Sequence, residues 1–259
     1  MPAGQAGGAF PPDSHPDRLR WNARYAGDFT PSFGPHPLAV RALALDLPDG
    51  PVADLACGPS GSALLAAANG RQVTAVDVSE IALAMLGEQA RRQGVDALIT
   101  LVHADLAAWH PRPRSHALVL CTGFWARDVF AAAAEAVADG GVLGWEAFTI
   151  AARSARPGLS PDWCLGPGEP ASLLPEDFTV LDQHDRPDRD QGDRRQMLAR
   201  RHNLPITTSG PAGHHIRPRG SPHQAPRVTT SGPAGHKSGP AGHQMKPRGS
   251  SHQAPRAGE

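Results

Sequence analysis

The first 204 residues of this 259-residue chain contain no lysine; the two present, Lys237 and Lys246, lie near the C-terminus. That absence excludes whole chemistries for the body of the chain. A phosphate-binding loop ending in Gly-Lys-Ser/Thr needs a lysine, and so does a pyridoxal phosphate Schiff base. Cysteine is scarce too. Cys57, Cys121 and Cys164 are odd in number and widely spaced, so they give neither a disulfide framework nor a paired metal-ligand spacing. A reducing cytoplasm is the expected setting. No run approaches 18 consecutive apolar residues, so no helix is expected to span a membrane. The opening MPAGQAGGAFPPDSHPDR lacks a basic region followed by an apolar stretch and does not read as a secretory signal.

Charge is balanced overall but unevenly placed. Of 25 basic and 25 acidic residues, seven and one respectively follow Leu204, leaving 18 against 24 in residues 1–204. The body is mildly acidic and the remainder basic. Residues 205–259 repeat SGPAGH three times, and RPRGSPHQAPR at 217–227 returns as KPRGSSHQAPR at 246–256. Proline and glycine dominate and no apolar periodicity survives, so 205–259 is expected to be a disordered tail. Its six histidines (His214, His215, His223, His236, His243 and His252) have no ordered scaffold, so no metal site is expected. Its dispersed positive charges would bind nucleic acid only weakly, and no nucleic-acid partner is expected. Residues 1–16, rich in Gly, Pro and Ala, are also expected to be disordered, with a single domain over 17–204.

Within that domain the texture alternates. HPLAVRALALDL (36–47) has the spacing of an amphipathic helix at Leu38, Ala42 and Leu45. Strands are expected at 52–56, 72–78, 97–105, 116–123 and 142–150, with helices at 62–70, 79–94 and 127–141 between them. Ser79 caps and Gly94 stops the second of those helices. After a Pro- and Gly-rich loop come a short helix near 169–174 and two closing strands at 178–185 and 194–201. Near-continuous apolar strands alternating with helices predict an α/β fold: a Rossmann-like, seven-stranded, mostly parallel sheet with helices on both faces.

PVADLACGPSGSALL reads as a strand, a glycine-containing turn and a helix start, where unpaired N–H groups face outward and a ligand can approach the backbone. Asp77 ends the next strand 19 positions after Gly58, the place where an acid holds the ribose hydroxyls of an adenosine. It also reads as a helix cap, although Ser79 is better placed for that. Asp105 ends the third strand. Asp54, Asp77 and Asp105 thus converge on one sheet edge, and buried acids are costly unless partnered.

DLACGPSG, VTAVDVS, HADL and ADGGVL, in this order and spacing, resemble the motifs of class I S-adenosylmethionine-dependent methyltransferases over about 17–201. The resemblance implies S-adenosyl-L-methionine as cofactor, with Asp54 and the glycine turn on its methionine part, Asp77 on the ribose and Asp105 on the adenine amino group. Ala56, Gly58, Ser60, Gly61, Val78, Leu106 and Cys121 complete the expected cofactor set. The chain departs from the family turn in having Ala56 and Ser60 for two glycines, with Gly61 one position later as the expected source of flexibility. His116 replaces an acid often found before strand four. WNARYAG and GWEAFT are similar to small bacterial tellurite-resistance and thiopurine methyltransferases, which implies a small-molecule acceptor with a soft sulfur, selenium or tellurium nucleophile. Trp21, Tyr25, Phe124, Trp125, Arg127 and Glu146 are the candidates facing that acceptor. Trp21 and Tyr25 read more readily as lid or core aromatics, and Arg127 equally as a helix start; no residue is assigned as catalytic.

Two other readings compete. A nicotinamide-dependent oxidoreductase also uses a glycine turn and a later acid, but Gly-x-Gly-x-x-Gly is missing and a body with one tyrosine and no lysine cannot supply a Tyr-x-x-x-Lys pair. A methyltransferase-like interaction module with weak or no cofactor binding is the second, since fold does not fix function. The residues leave the oligomeric state open.

Overall fold

The computed structural model describes residues 11–203 apart from Arg189. Residues 1–10 and the expected tail at 205–259, with its repeats and histidines, lie outside the described residues. Two helices, α1 (Pro16–Ala26) and α2 (Pro37–Leu43), precede a seven-stranded sheet. Its elements run β1 (Val52–Leu55), α3 (Gly61–Ala68), β2 (Val73–Asp77), α4 (Glu80–Gln93), β3 (Ile99–His103), β4 (His116–Thr122), α5 (Arg127–Ala136), β5 (Val137–Phe148), β6 (Phe178–Arg186) and β7 (Arg194–Arg201). The strand order is β3-β2-β1-β4-β5-β7-β6. The first five strands are parallel, and β7 inserts antiparallel between β5 and β6. No helix among the described residues is long and apolar enough to cross a membrane.

The strand alternation separates two apolar layers. Val52, Val73, Ala75, Leu118, Leu120 and Val142 pack with α2, α3 and α4 on one face. Ala53, Leu55, Val119, Leu143, Trp145 and Met197 pack with α5 on the other. There, Phe130 and Trp145 meet edge-on with ring centroids 5.2 Å apart, and Trp125 completes the cluster. Burial on both faces is why these strands lack a polar side.

Three elements differ from expectation for local reasons. The helix expected over 127–141 ends at Ala136, and β5 begins at Val137, earlier than the expected 142. Asp139, Gly140 and Gly141 are poor helix formers, and Gly140 takes φ +74°. The pairing of β4 with β5 shifts between His116↔Val137 and Leu118↔Val142, which absorbs the extra residues as a bulge. The short helix near 169–174 is a single 3₁₀ turn, Ala171–Leu173. Finally, α1 begins at Pro16, with His15 as its cap. It buries no residue, so apolar periodicity could not reveal it.

Phe130 lies at the centre of the α5 face and is 1% exposed. Replacing it with alanine should cost about 3–5 kcal/mol through lost burial and a residual cavity. Urea unfolding followed by tryptophan fluorescence measures this; a loss under about 1 kcal/mol would contradict the packing described.

Candidate cofactor and acceptor site

The carboxyl ends of β1, β2 and β3 carry the three acids, and the glycine turn sits between the first two. Asp54 is buried, and its Oδ2 accepts a 2.6 Å hydrogen bond from the Ser60 hydroxyl. The same hydroxyl accepts the N–H groups of Ser62 and Ala63, capping α3. Ser60 therefore replaces a glycine with a group that satisfies both a helix start and a buried carboxylate. Burial raises the Asp54 carboxyl to about 6, and the hydrogen bond from Ser60 opposes that rise.

Asp77 holds the turn itself. One carboxylate oxygen accepts the Gly58 N–H at 2.7 Å and the other the Ser79 N–H at 2.8 Å. Burial pushes its pKa up, while these two backbone donors pull it down. Asp105 lies just beyond β3 with its side chain 31% exposed. Its Oδ1 accepts the Ala107 N–H, and His15 Nε2 stands 3.2 Å from its Oδ2. Next to these acids, Val78 offers its carbonyl to His103 at 3.0 Å, and Leu106 is buried in the apolar layer. Cys121 is fully buried, and burial pushes its thiol well up.

Two turn residues behave differently from expectation. Ala56 adopts φ +48°, a left-handed conformation that a Cβ makes costly and that glycine takes freely. Gly61, expected to lend flexibility, needs no left-handed backbone; it is required by packing. A Cβ on Gly61 would lie 2.4 Å from the carbonyl oxygens of both Phe33 and Gly34. Gly58 does take φ +58°, and among the described residues an added Cβ would meet the Tyr25 hydroxyl at 3.0 Å and its ring carbon at 3.9 Å. Neither is backbone. The approach to Gly58 is thus limited by one movable side chain, which fits a ligand lying along the turn.

The acceptor candidates separate in space. Trp21 stacks on Tyr25, with centroids 5.8 Å apart, on the helix that covers the turn. Burial raises the Tyr25 phenol, and the Asp77 charge adds to it, so its hydroxyl stays protonated. Trp125 is a core aromatic packed on Phe130 and Trp145, and its indole N–H has no partner among the described residues. Phe124 contributes its carbonyl, which accepts the Trp145 indole N–H at 3.1 Å. Arg127 makes two hydrogen bonds to Glu169, at 2.8 and 3.1 Å. His116 is buried, and burial lowers its pKa.

Glu146 sits on β5 in register with Thr122 at the end of β4, on the floor of a cleft of about 200 Å³. His36, Arg186, Asp188, Gln191 and Arg194 are among the other lining residues. Glu146 Oε1 lies 3.3 Å from His36 Nε2 and 3.2 Å from an Arg194 guanidinium nitrogen, and Oε2 accepts from Gln196 at 2.6 Å. Burial alone would raise its pKa, but hydrogen bonds from His36 and Gln196 and the nearby charges hold it at about 2. His36, Arg194 and Gln196 carried no sequence signal, because they come from two separate segments and meet only once β7 inserts beside β5. His36 also ties the two ends of the edge together: its backbone N–H donates to the Ser62 hydroxyl on α3.

The turn geometry predicts opposite effects for two glycine–alanine exchanges. Ala56→Gly should stabilise the fold by about 1 kcal/mol by relieving the left-handed strain. Gly61→Ala should destabilise it by about 1–3 kcal/mol, since the backbone of residues 33–34 must move. Thermal unfolding of both variants tests the pair; a destabilising Ala56→Gly would contradict the strain at that turn.

The family model described as a methyltransferase domain matches residues 52–141, from the start of β1 to the glycines within β5. No curated protein matches the chain significantly. Among solved structures, a protein from work on conversion of a disulfide bond into a thioacetal group during echinomycin biosynthesis superimposes with TM-score 0.53 at 19% identity. That match covers 71% of this chain and 91% of the other. Geranyl diphosphate C-methyltransferase from Streptomyces coelicolor A3(2), solved with Mg2+, geranyl-S-thiolodiphosphate and S-adenosyl-L-homocysteine, gives 0.50 at 15%, covering 63% and 73%. An S-adenosylmethionine-dependent methyltransferase from Mesorhizobium loti gives 0.51 at 20%, covering 63% and 96%. Residues 52–141 therefore match a methyltransferase domain, and the chain around them shares the α/β fold of these solved structures.

Proposed function

We propose that this chain, a methyltransferase of the S-adenosylmethionine-dependent type, acts on a small polar acceptor held in the Glu146 cleft. The reading rests on how the carboxyl edge divides. Gly58, Asp77 and Asp105 lie on the β1–β3 half, and the polar cleft lies beside β5 and β7. In open α/β sheets, ligands bind outside the carboxyl ends of the strands where the strand order reverses, here between β1 and β4. When bound, the cofactor supplies a sulfonium methyl group open to in-line displacement.

Within this reading Asp77 takes the ribose hydroxyls and Asp105 the adenine amino group. Gly58, Ser60 and the start of α3 receive the methionine part, and Tyr25 shields that region from water. Among the described residues, both carboxylates of the cleft are weak bases: Glu146, held at about 2, stays ionised and fully engaged, and the N–H groups of Gln191 and Asp190 hold Asp188 below the usual carboxylate range. The His36 Nδ1 already accepts the Leu38 N–H at 3.2 Å, which leaves its proton on Nε2, facing Glu146. An acceptor that arrives unprotonated, such as a thiolate or another soft nucleophile, suits such a site better than an amine or alcohol. A cytoplasmic setting is part of the same reading, supported by the free cysteines Cys57, Cys121 and Cys164.

The test is calorimetric titration of S-adenosylhomocysteine into the full chain and its Asp77→Ala and Asp105→Asn variants. Micromolar binding is expected, weakened about tenfold or more in each variant, the scale of a lost hydrogen bond to a charged group. A folded protein with no binding would leave a methyltransferase-fold module that does not use this cofactor.

A further inference from the structure

One face of α1 carries Arg18, Asn22 and Tyr25, in line with the cap residue His15 at spacings of three, four and three. Every member of the row ends on the candidate cofactor edge. His15 Nε2 reaches Asp105. The Arg18 guanidinium makes two hydrogen bonds to Glu80, at 2.7 and 3.0 Å, and holds the Glu80 carboxyl at about 2. The Ser79 hydroxyl donates to Asn22 Oδ1 at 2.6 Å. The Tyr25 hydroxyl lies over Gly58. With no buried residue of its own, α1 is held by polar bonds rather than by a core. Elements held in that way open at low cost.

We propose that α1 is a strap across the cofactor cleft and that His15 competes with the adenine amino group for Asp105. The proposal rests on the reading above, in which Asp105 takes that amino group. His15 Nδ1 accepts the Arg18 N–H at 3.4 Å, so the ring proton is on Nε2 and is donated to Asp105 Oδ2. The other Asp105 oxygen is already bonded to the Ala107 N–H. The adenine amino group is also a donor, and on the proposal it takes the oxygen that His15 holds. The bonds of Arg18 and Asn22 go to Glu80 and Ser79 instead, and they keep the helix anchored when His15 lets go. Cofactor entry is then an exchange of one donor for another at Asp105, with α1 hinged rather than released. A ligand lacking the amino group has no such exchange to make.

Two variants separate the latch from the cap. His15→Asn keeps a side chain that can cap α1 but is too short to reach Asp105; His15→Ala removes both. In the full chain, both should bind S-adenosylhomocysteine about two- to fivefold more tightly, the scale of one partly exposed pair. S-inosylhomocysteine, with a carbonyl in place of the amino group, should gain nothing. Without ligand, amide exchange across residues 16–26 should be faster in both variants than in the unaltered chain. Unchanged or weaker S-adenosylhomocysteine binding in His15→Asn would overturn the proposal, and so would an equal gain for both ligands. If neither the unaltered chain nor the variants bind either ligand, the cofactor reading fails and carries the latch with it. Faster exchange in the variants would still report that His15 holds α1.

Discussion

Asp77 bonds the N–H of Gly58 with one oxygen and the N–H of Ser79 with the other. A carboxylate buried this deeply is costly unless such donors surround it. Its bonds fix the end of β2, the glycine turn after β1 and the start of α4 relative to one another. Asp54 repeats the device one strand over through Ser60, which in turn caps α3. Two buried acids, each answered by the turn or the helix beside it, set the shape of the edge. Burial raises the proton affinity of both, and the Asp77 charge adds to the rise at Asp54, so neither tolerates the loss of its donors easily.

The turn built on these bonds leaves little spare room. Residues 33–34 lie so close to the first residue of α3 that only glycine fits at position 61. That close approach brings His36 to Ser62 and carries α2 against the sheet. His36 then meets Glu146 from the far side of the edge, where Arg194 and Gln196 of β7 complete the ion cluster. A continuous set of bonds therefore runs from the glycine turn to the Glu146 cleft. It explains why a charged residue is tolerated on β5 among apolar neighbours: Glu146 has three donors, and its charge is matched by Arg194.

Much of the fold was legible in the sequence because the strands are buried on both faces and read as short apolar runs. Val52–Leu55, Val73–Asp77 and His116–Thr122 fall within the expected spans. The boundaries failed where backbone geometry, not apolarity, decides, as at Gly140, where a bulge replaces a helical turn. The acids at the strand ends were legible because their spacing follows the strand–turn–helix repeat. The roles of Ala56 and Gly61 were not, because a positive φ and a backbone contact from 27 residues away leave no local trace. Nor was α1 legible from apolar spacing, since its working face is polar. Pro16 at the first helical position and Asp17 in the first turn were the available signal.

On the proposed function, this edge holds an adenosyl cofactor, with Asp77 and Asp105 as its two anionic anchors. A crystal structure of the full chain with S-adenosylhomocysteine tests it most directly. The expected result is the ribose hydroxyls on the Asp77 carboxylate, the adenine amino group on Asp105 and His15 displaced from it. A ligand seated elsewhere, or bound with the His15–Asp105 contact intact, would contradict it.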